Sequence, residues 1–198
     1  MSLPASPTEP PTRPLLTIEL IPETAWGQNL RAILSSRDWD AVRKFSYRRA
    51  GYRCECCGGV GPAHPVECHE VWDWLVNSAT REAVQVLVGV VALCPTCHSV
   101  KHWGRTLAVS PTPGTTESKL LAHIQRVNGW TPPQARHHLR NVFQWWSLAS
   151  KYLWTLDVQT YLGTAQQAGD FTLRDWSPPK KENPNHDPDC RRHRSFSR

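Results

Sequence analysis

The sequence predicts an α+β domain built of strand, strand and helix, fastened by a metal and extended by helices at both ends. Three observations predict it. Two C-x-x-C pairs, Cys54/Cys57 and Cys94/Cys97, stand with 36 residues between them. The valine-rich run Ala83–Leu93 has the β-branched composition of a strand and leads straight into the second pair. His98 and His102 follow that pair at a spacing of four, which puts both imidazoles on one face of a helix. A tight turn in each C-x-x-C brings two thiolates to one ion from the same side, and two such turns complete a four-sulfur zinc site of the closed, structural type. Disulfides fit the pattern poorly, because the cysteine count is odd, at seven, and the spacing is that of metal ligands.

A chain of 198 residues suffices for one domain with a real core and elements packed upon it. The balance is basic, with 23 Lys and Arg against 17 Asp and Glu, which favours a polyanionic partner. Ten tryptophans imply large buried aromatic surfaces or platforms for stacking. No apolar run approaches the ~20 residues of a membrane span, so no membrane role is expected. The chain opens on no secretory signal, and cysteines at zinc spacing belong in a reducing cytoplasm. The expected assembly is a monomer or homodimer.

Residues 1–14, rich in Pro, Ser and Thr, read as a disordered arm. An N-terminal region over 15–52 follows. In it, residues 15–21 alternate loosely and predict a short strand ending at Pro22. Trp26, Leu30, Ile33 and Leu34 predict a helix over 26–34. Ser36 is placed to cap a second helix over 37–50, with Trp39 and Val42 on its apolar face and Gly51 at its end. Arg43, Lys44, Arg48 and Arg49 make a basic stripe on it, either a solvated face or a phosphate contact.

The central region spans 53–105. Gly58, Gly59, Gly61 and Pro62 form a turn-rich loop, and residues 65–72 predict a strand carrying Cys68 and His69. Neighbours on a strand face opposite ways, so these two side chains are suited to different tasks. A helix over 96–103 is expected to stop at Gly104. A C-terminal helical extension over 106–176 follows. Its first helix covers 117–127 and is halted by Asn128-Gly129; its second starts at Thr131-Pro132 and runs to about Tyr152. His137 and His138 are adjacent, diverge on that helix and read as solvated surface. Residues 154–162 predict a closing strand or an irregular segment, and 177–198 a disordered basic tail holding an isolated Cys190.

Taken together, Cys54 and Cys57, then Cys68-His69, then Cys94, Cys97, His98 and His102 resemble the HNH nucleases, the ββα-metal or His-Me finger family, in its four-cysteine subgroup. The resemblance covers about a quarter of the chain, from Arg53 to His102. It implies a small ββα-metal finger stapled by zinc on Cys54, Cys57, Cys94 and Cys97. It implies that His69 is the general base, that His98 and His102 hold a catalytic divalent ion, and that Cys68 stands where the family has a metal-binding Asp or His. The ion would be Mg²⁺, Mn²⁺, Ni²⁺, Co²⁺ or Zn²⁺, and the substrate DNA. Arg48, Arg49, Lys101 and Arg105 are the expected phosphate contacts, with Trp103 a stacking surface or core. Phosphodiester hydrolysis asks for these residue types: a neutral imidazole to take a proton from water, and a cation near the phosphate.

Two positions depart from the family pattern. Gly89 stands where an Asn is expected to brace the loop of the base, leaving Asn77 or Asp73 as substitutes. Cys68 is either a soft ligand, favouring zinc, nickel or cobalt over magnesium, or a buried filler, with Glu67 and Glu70 as alternative oxygen ligands. Cys56 reads as a packing or free thiol and His64 as surface. The function expected is a metal-dependent DNA endonuclease. The alternatives are a catalytically inactive zinc-stapled module that binds nucleic acid, or a zinc domain for protein interaction.

Overall fold

Residues 14–22 run extended between layers and join no sheet, in contrast to the strand expected over 15–21. A computed structural model describes residues 14–77, 79–80 and 82–177; the arm before residue 14 and the tail with Cys190 lie outside the described residues. The alternation is real, since Leu16, Ile18 and Leu20 are all buried. The backbone partners are side chains and a helix end. Leu16 exchanges two hydrogen bonds with the Asn128 amide (3.0 and 2.7 Å), and the Ile18 N–H donates to His138 Nε2 at 3.0 Å. The Glu19 N–H donates to the Lys101 carbonyl at 3.0 Å. A polar backbone buried without a ladder needs such partners. His138 is accordingly half-buried against this segment rather than solvated surface.

The expected helix over 26–34 shrinks to a single turn, α1 (Leu30–Ile33), after a 3₁₀ turn at Glu23–Ala25. Asn29 starts α1 by accepting the Ala32 N–H, so the chain before it is not helical. Helix α2 (Ser36–Arg49) begins one residue early, capped by Ser35, whose hydroxyl accepts the Asp38 N–H at 3.2 Å. It buries Trp39, Val42 and Ser46 and ends before Gly51, as expected.

Strands β1 (Glu67–Val76) and β2 (Ala83–Leu93) form an antiparallel hairpin, with His69 opposite Val91 and a bulge at Val71/Trp72. Helix α3 (Pro95–Lys101) follows directly, with Cys94 as its N-cap and Pro95 at its first position. It stops before His102, and Gly104 lies inside the next helix, α4 (Trp103–Ala108). A Cβ at Gly104 would stand 3.3 Å from Leu20, so close packing accounts for the glycine and chain termination does not.

Two longer helices cover this unit. Helix α5 (Pro113–Asn128) ends on Gly129 in the left-handed region, φ 66°. Helix α6 (Pro132–Ala149) is entered through Thr131, whose N–H donates to Gln134 Oε1 at 2.8 Å. Strand β3 (Trp154–Asp157) pairs parallel with β2 and gives the sheet order β1-β2-β3; α7 (Gln159–Gln167) closes the chain of elements.

The fold is thus mixed α+β, a three-stranded sheet among helices. It has two principal cores. One gathers Leu16, Ile18, Leu20, Leu93, Val100, Trp103 and Ile124 around the cysteine knuckles. The other gathers Leu30, Val42, Cys68, Leu87, Val90, Leu162 and Phe171 beneath α2 and α7. The buried Asp38 carboxylate accepts the N–H groups of Arg174, Asp175 and Trp176 at 2.8–3.0 Å and sews the C-terminal segment to α2. Among the described residues no helix is long and apolar enough to cross a membrane.

Candidate metal centres

The two cysteine pairs meet. Cys54 and Cys57 sit in the loop after α2, Cys94 at the N-cap of α3 and Cys97 in its first turn. Their four Sγ atoms lie within 4.8 Å of one another, with Cys57 and Cys94 at 3.7 Å. Tetrahedral ligands at a Zn–S distance of ~2.3 Å would stand ~3.8 Å apart, so the cluster fits a zinc ion. The first knuckle turns at Gly58, whose φ of 71° suits a residue without a Cβ, and its N–H donates to the Cys54 carbonyl at 2.8 Å. Glu55 ties that knuckle to β2: its N–H donates to the Ala92 carbonyl, and its carboxylate accepts the Ala92 N–H.

The electrostatics of the four thiols ask for a cation. A hydrogen bond to Cys54 together with burial pushes the Cys97 thiol far above its usual range, while Cys56 and Cys97 hold Cys54 down. Four sulfurs in contact cannot all ionise unless positive charge sits among them. Outside the cluster, His123 Nε2 lies 3.1 Å from Cys97 Sγ, and its Nδ1 meets Arg126 at 2.7 Å. Cys56 packs at the edge of the first core.

A second cluster lies at the other end of α3. His98 from α3 and His102 just beyond it face His69 from β1, and one nitrogen of each lies within 4.8 Å of the others. His69 Nδ1 and His102 Nε2 are 3.3 Å apart. Nitrogens bound to one tetrahedral ion at ~2.1 Å would stand ~3.4 Å apart, so this set could also hold a cation. Carboxylates occupy the far sides of two rings. Glu19 Oε2 meets His69 Nε2 at 2.8 Å, and Glu67 Oε2 meets His98 Nδ1, which leaves Nε2 of His98 for the centre.

Burial, more than any charge, favours the neutral form of His98 and His102. Burial, reinforced by His69 and His98, pushes His102 down to about 3. Burial and His69 also lower His98, against the pull of Glu67. Glu19 is buried, which opposes ionisation, yet its bond to His69 and the Lys101 ammonium hold it at about 2. Neutral imidazoles such as those of His98 and His102 are what a cation requires.

The structure brings His69, His98 and His102 together and leaves Cys68 out. Cys68 faces the opposite side of β1, among Leu30, Val42, Leu87 and Val90, and burial with the Glu70 charge pushes its thiol up to about 12. Of the two alternatives for Cys68, the buried filler is the one its surroundings match. Glu67 backs His98 and accepts from His64 at 2.7 Å, while Glu70 accepts the Leu30 N–H at 3.2 Å. Gly89 pairs with Val71, Asp73 with Val86, and Asn77 holds the β1–β2 turn through Ala79 N–H. The hydrogen-bond partner of His69 outside the ring cluster is instead Glu19, from the extended segment. Its only trace in the sequence is a carboxylate at a position alternating with Leu16, Ile18 and Leu20.

The expected phosphate contacts divide. Lys101 is 8% exposed and bound to Glu19 and to Thr17 Oγ1, and Arg49 is held by Glu55 and the Val90 carbonyl. Arg48 and Arg105 are exposed and make no ion pair among the described residues. Trp103 is core, at 1% exposure. Compared with protein-family models, curated proteins and solved structures, the chain matches none of them.

Proposed function

We propose that β1, β2 and α3 form a ββα-metal finger of the HNH type, stapled by zinc on Cys54, Cys57, Cys94 and Cys97, and that the protein is a metal-dependent DNA endonuclease. One observation carries the reading: three imidazoles converge beside a cleft, two of them backed by carboxylates. Carboxylate-backed histidines are a mark of metal ligands, and three ligands beside open space suit a catalytic centre. A divalent ion held there supplies Lewis acidity toward a phosphoryl oxygen and toward water. Imidazole ligands favour zinc, nickel or cobalt over magnesium.

The residues then divide the work. His69 through Nδ1, and His98 and His102 through Nε2, hold the ion. Glu19 fixes the tautomer and tilt of His69, and Lys101 keeps Glu19 ionised. Arg105, exposed and close enough to affect both His98 and His102, meets the phosphate.

The Glu19–His69 bond also favours a second reading, in which His69 is the general base. A carboxylate on Nε2 leaves the Nδ1 lone pair facing the centre, the arrangement of an oriented base. Cleavage of supercoiled plasmid with each divalent metal, beside His69→Ala and with bound metal counted, separates these. If His69 is a ligand, the variant loses cutting and histidine-bound metal together. If it is the base, cutting is lost and the metal stays. Salt-sensitive DNA binding with no cutting under any metal would overturn both in favour of an inactive binding module.

A further inference from the structure

We infer that the cleft beside His102 is a nucleobase pocket, so that the DNA this protein engages is single-stranded or locally unpaired; the inference rests on the nuclease reading and names its substrate. The cleft measures about 500 Å³, within the range of small-ligand sites. Its walls include Ile21, Trp26, Phe143 and Trp146, with His102 and Arg105 at one side.

The aromatic side chains are placed as stacking surfaces are. Trp26 is 66% and Phe143 43% exposed, whereas Trp103 nearby is wholly core. The Trp146 indole N–H donates to the Ile21 carbonyl at 2.9 Å, which fixes that ring in the wall, and Phe143 meets it edge to face at 6.4 Å. Exposed rings gathered in one cleft and rimmed by charged groups mark a ligand-binding groove. Arg105 then selects among the ligands that can stack there. Its charge is unpaired among the described residues, and it borders both the cleft and the imidazole cluster. The fitting ligand carries a flat π-face and an anionic group together, which describes a nucleotide. Glu19 lines the same wall but is neutralised by Lys101, and Glu23 offers an acceptor to a base amino group.

A base in a duplex presents no free face, so entry requires an unpaired strand. The sugar-phosphate of that nucleotide would then lie across Arg105 toward His102.

The test uses the full chain with its native metals, and a denaturing gel after each titration confirms that the strands compared are intact. Anisotropy of a dye-labelled oligo-dT is compared with that of a duplex of equal length. Trp26→Ala and Phe143→Ala should each weaken single-strand binding roughly tenfold, leave duplex binding unchanged and leave the melting temperature intact. Trp26→Phe should restore most of the affinity, which separates stacking from damage to the fold. Unchanged single-strand affinity in both alanine variants, or equal losses on both DNA forms, would overturn the pocket. Plasmid cleavage by the wild-type protein is scored separately. Cutting with an unaltered affinity series keeps the nuclease and removes the pocket; the affinity loss with no cutting keeps the pocket and removes the nuclease.

Discussion

The two ligand clusters share one seven-residue helix and differ in nearly everything else. At the start of α3, Cys94 and Cys97 meet a preceding loop, and four sulfurs offer a complete ligand set. At its end, His98 and His102 meet a strand, and three nitrogens offer an incomplete one beside a cleft. The thiols are set into the first core, while the imidazoles are backed by Glu19 and Glu67. A closed set holds structure and an open set leaves room for chemistry. Because one short helix with its two caps carries two members of each, the sulfur cluster fixes the direction from which two imidazoles enter the other. Dependence should therefore run one way.

Breaking the sulfur cluster tests this most severely. Cys97→Ser should remove the bound zinc and abolish a cooperative melt, because structural zinc contributes ~10–16 kcal/mol in small zinc domains, as much as a whole domain's ~5–15 kcal/mol of stability. The measurement is metal content beside thermal circular dichroism. A variant that kept a normal melt without zinc would show that the core, and not the staple, holds α3.

The reverse experiment should spare the fold. On the nuclease reading proposed above, His98→Ala and His102→Ala should each lose the histidine-bound metal and all cleavage while keeping zinc on the cysteines and most of the melting temperature. Unfolding of these variants would mean that the second cluster is structural as well. Glu19→Gln is milder. It should weaken metal at the imidazoles by ~10–100-fold and leave the cysteine zinc untouched, read by chelator competition.

Acid should weaken the fold through the groups of the imidazole cluster. The folded state lowers His98, His102 (to about 3) and Glu19 (to about 2), so unfolding takes up protons. Their stabilisation is full above ~6.5, the ordinary imidazole value, and drains as pH falls through it, with Glu19 adding its part below ~4.5. Denaturation midpoints should therefore decline from pH 7.5 to pH 5; a flat or rising profile would contradict neutral rings in the folded state. The smallest effect expected is at His123→Ala, which removes the hydrogen bond to Cys97 and should cost about 1–2 kcal/mol in a urea titration without releasing zinc.

What could be read in advance was whatever depends on neighbours in the chain. The knuckle spacing, β2, and the shared face of His98 and His102 follow from local periods. So did the division of labour on β1: alternation alone separates Cys68 from His69, and the two now lie in different surroundings. Gly104 misled for the same reason, since a glycine after a helix reads as a stop until Leu20 is seen against it. The helix expected over 26–34 failed because apolar spacing says nothing of Asn29 capping from within it.

The sequence by itself determined that each cysteine pair would turn its two thiols together and that two histidines would share a helical face, because turns and helices set those distances within a few residues. Only the tertiary structure decided what stands behind the histidines. Glu19 lies 50 residues from His69 along the chain, and Lys101 lies 82 from Glu19. No period links such positions. They meet because the extended segment, lacking a strand partner, is pressed by its own apolar side chains between α3, α5 and α6, and its one carboxylate is carried in with them.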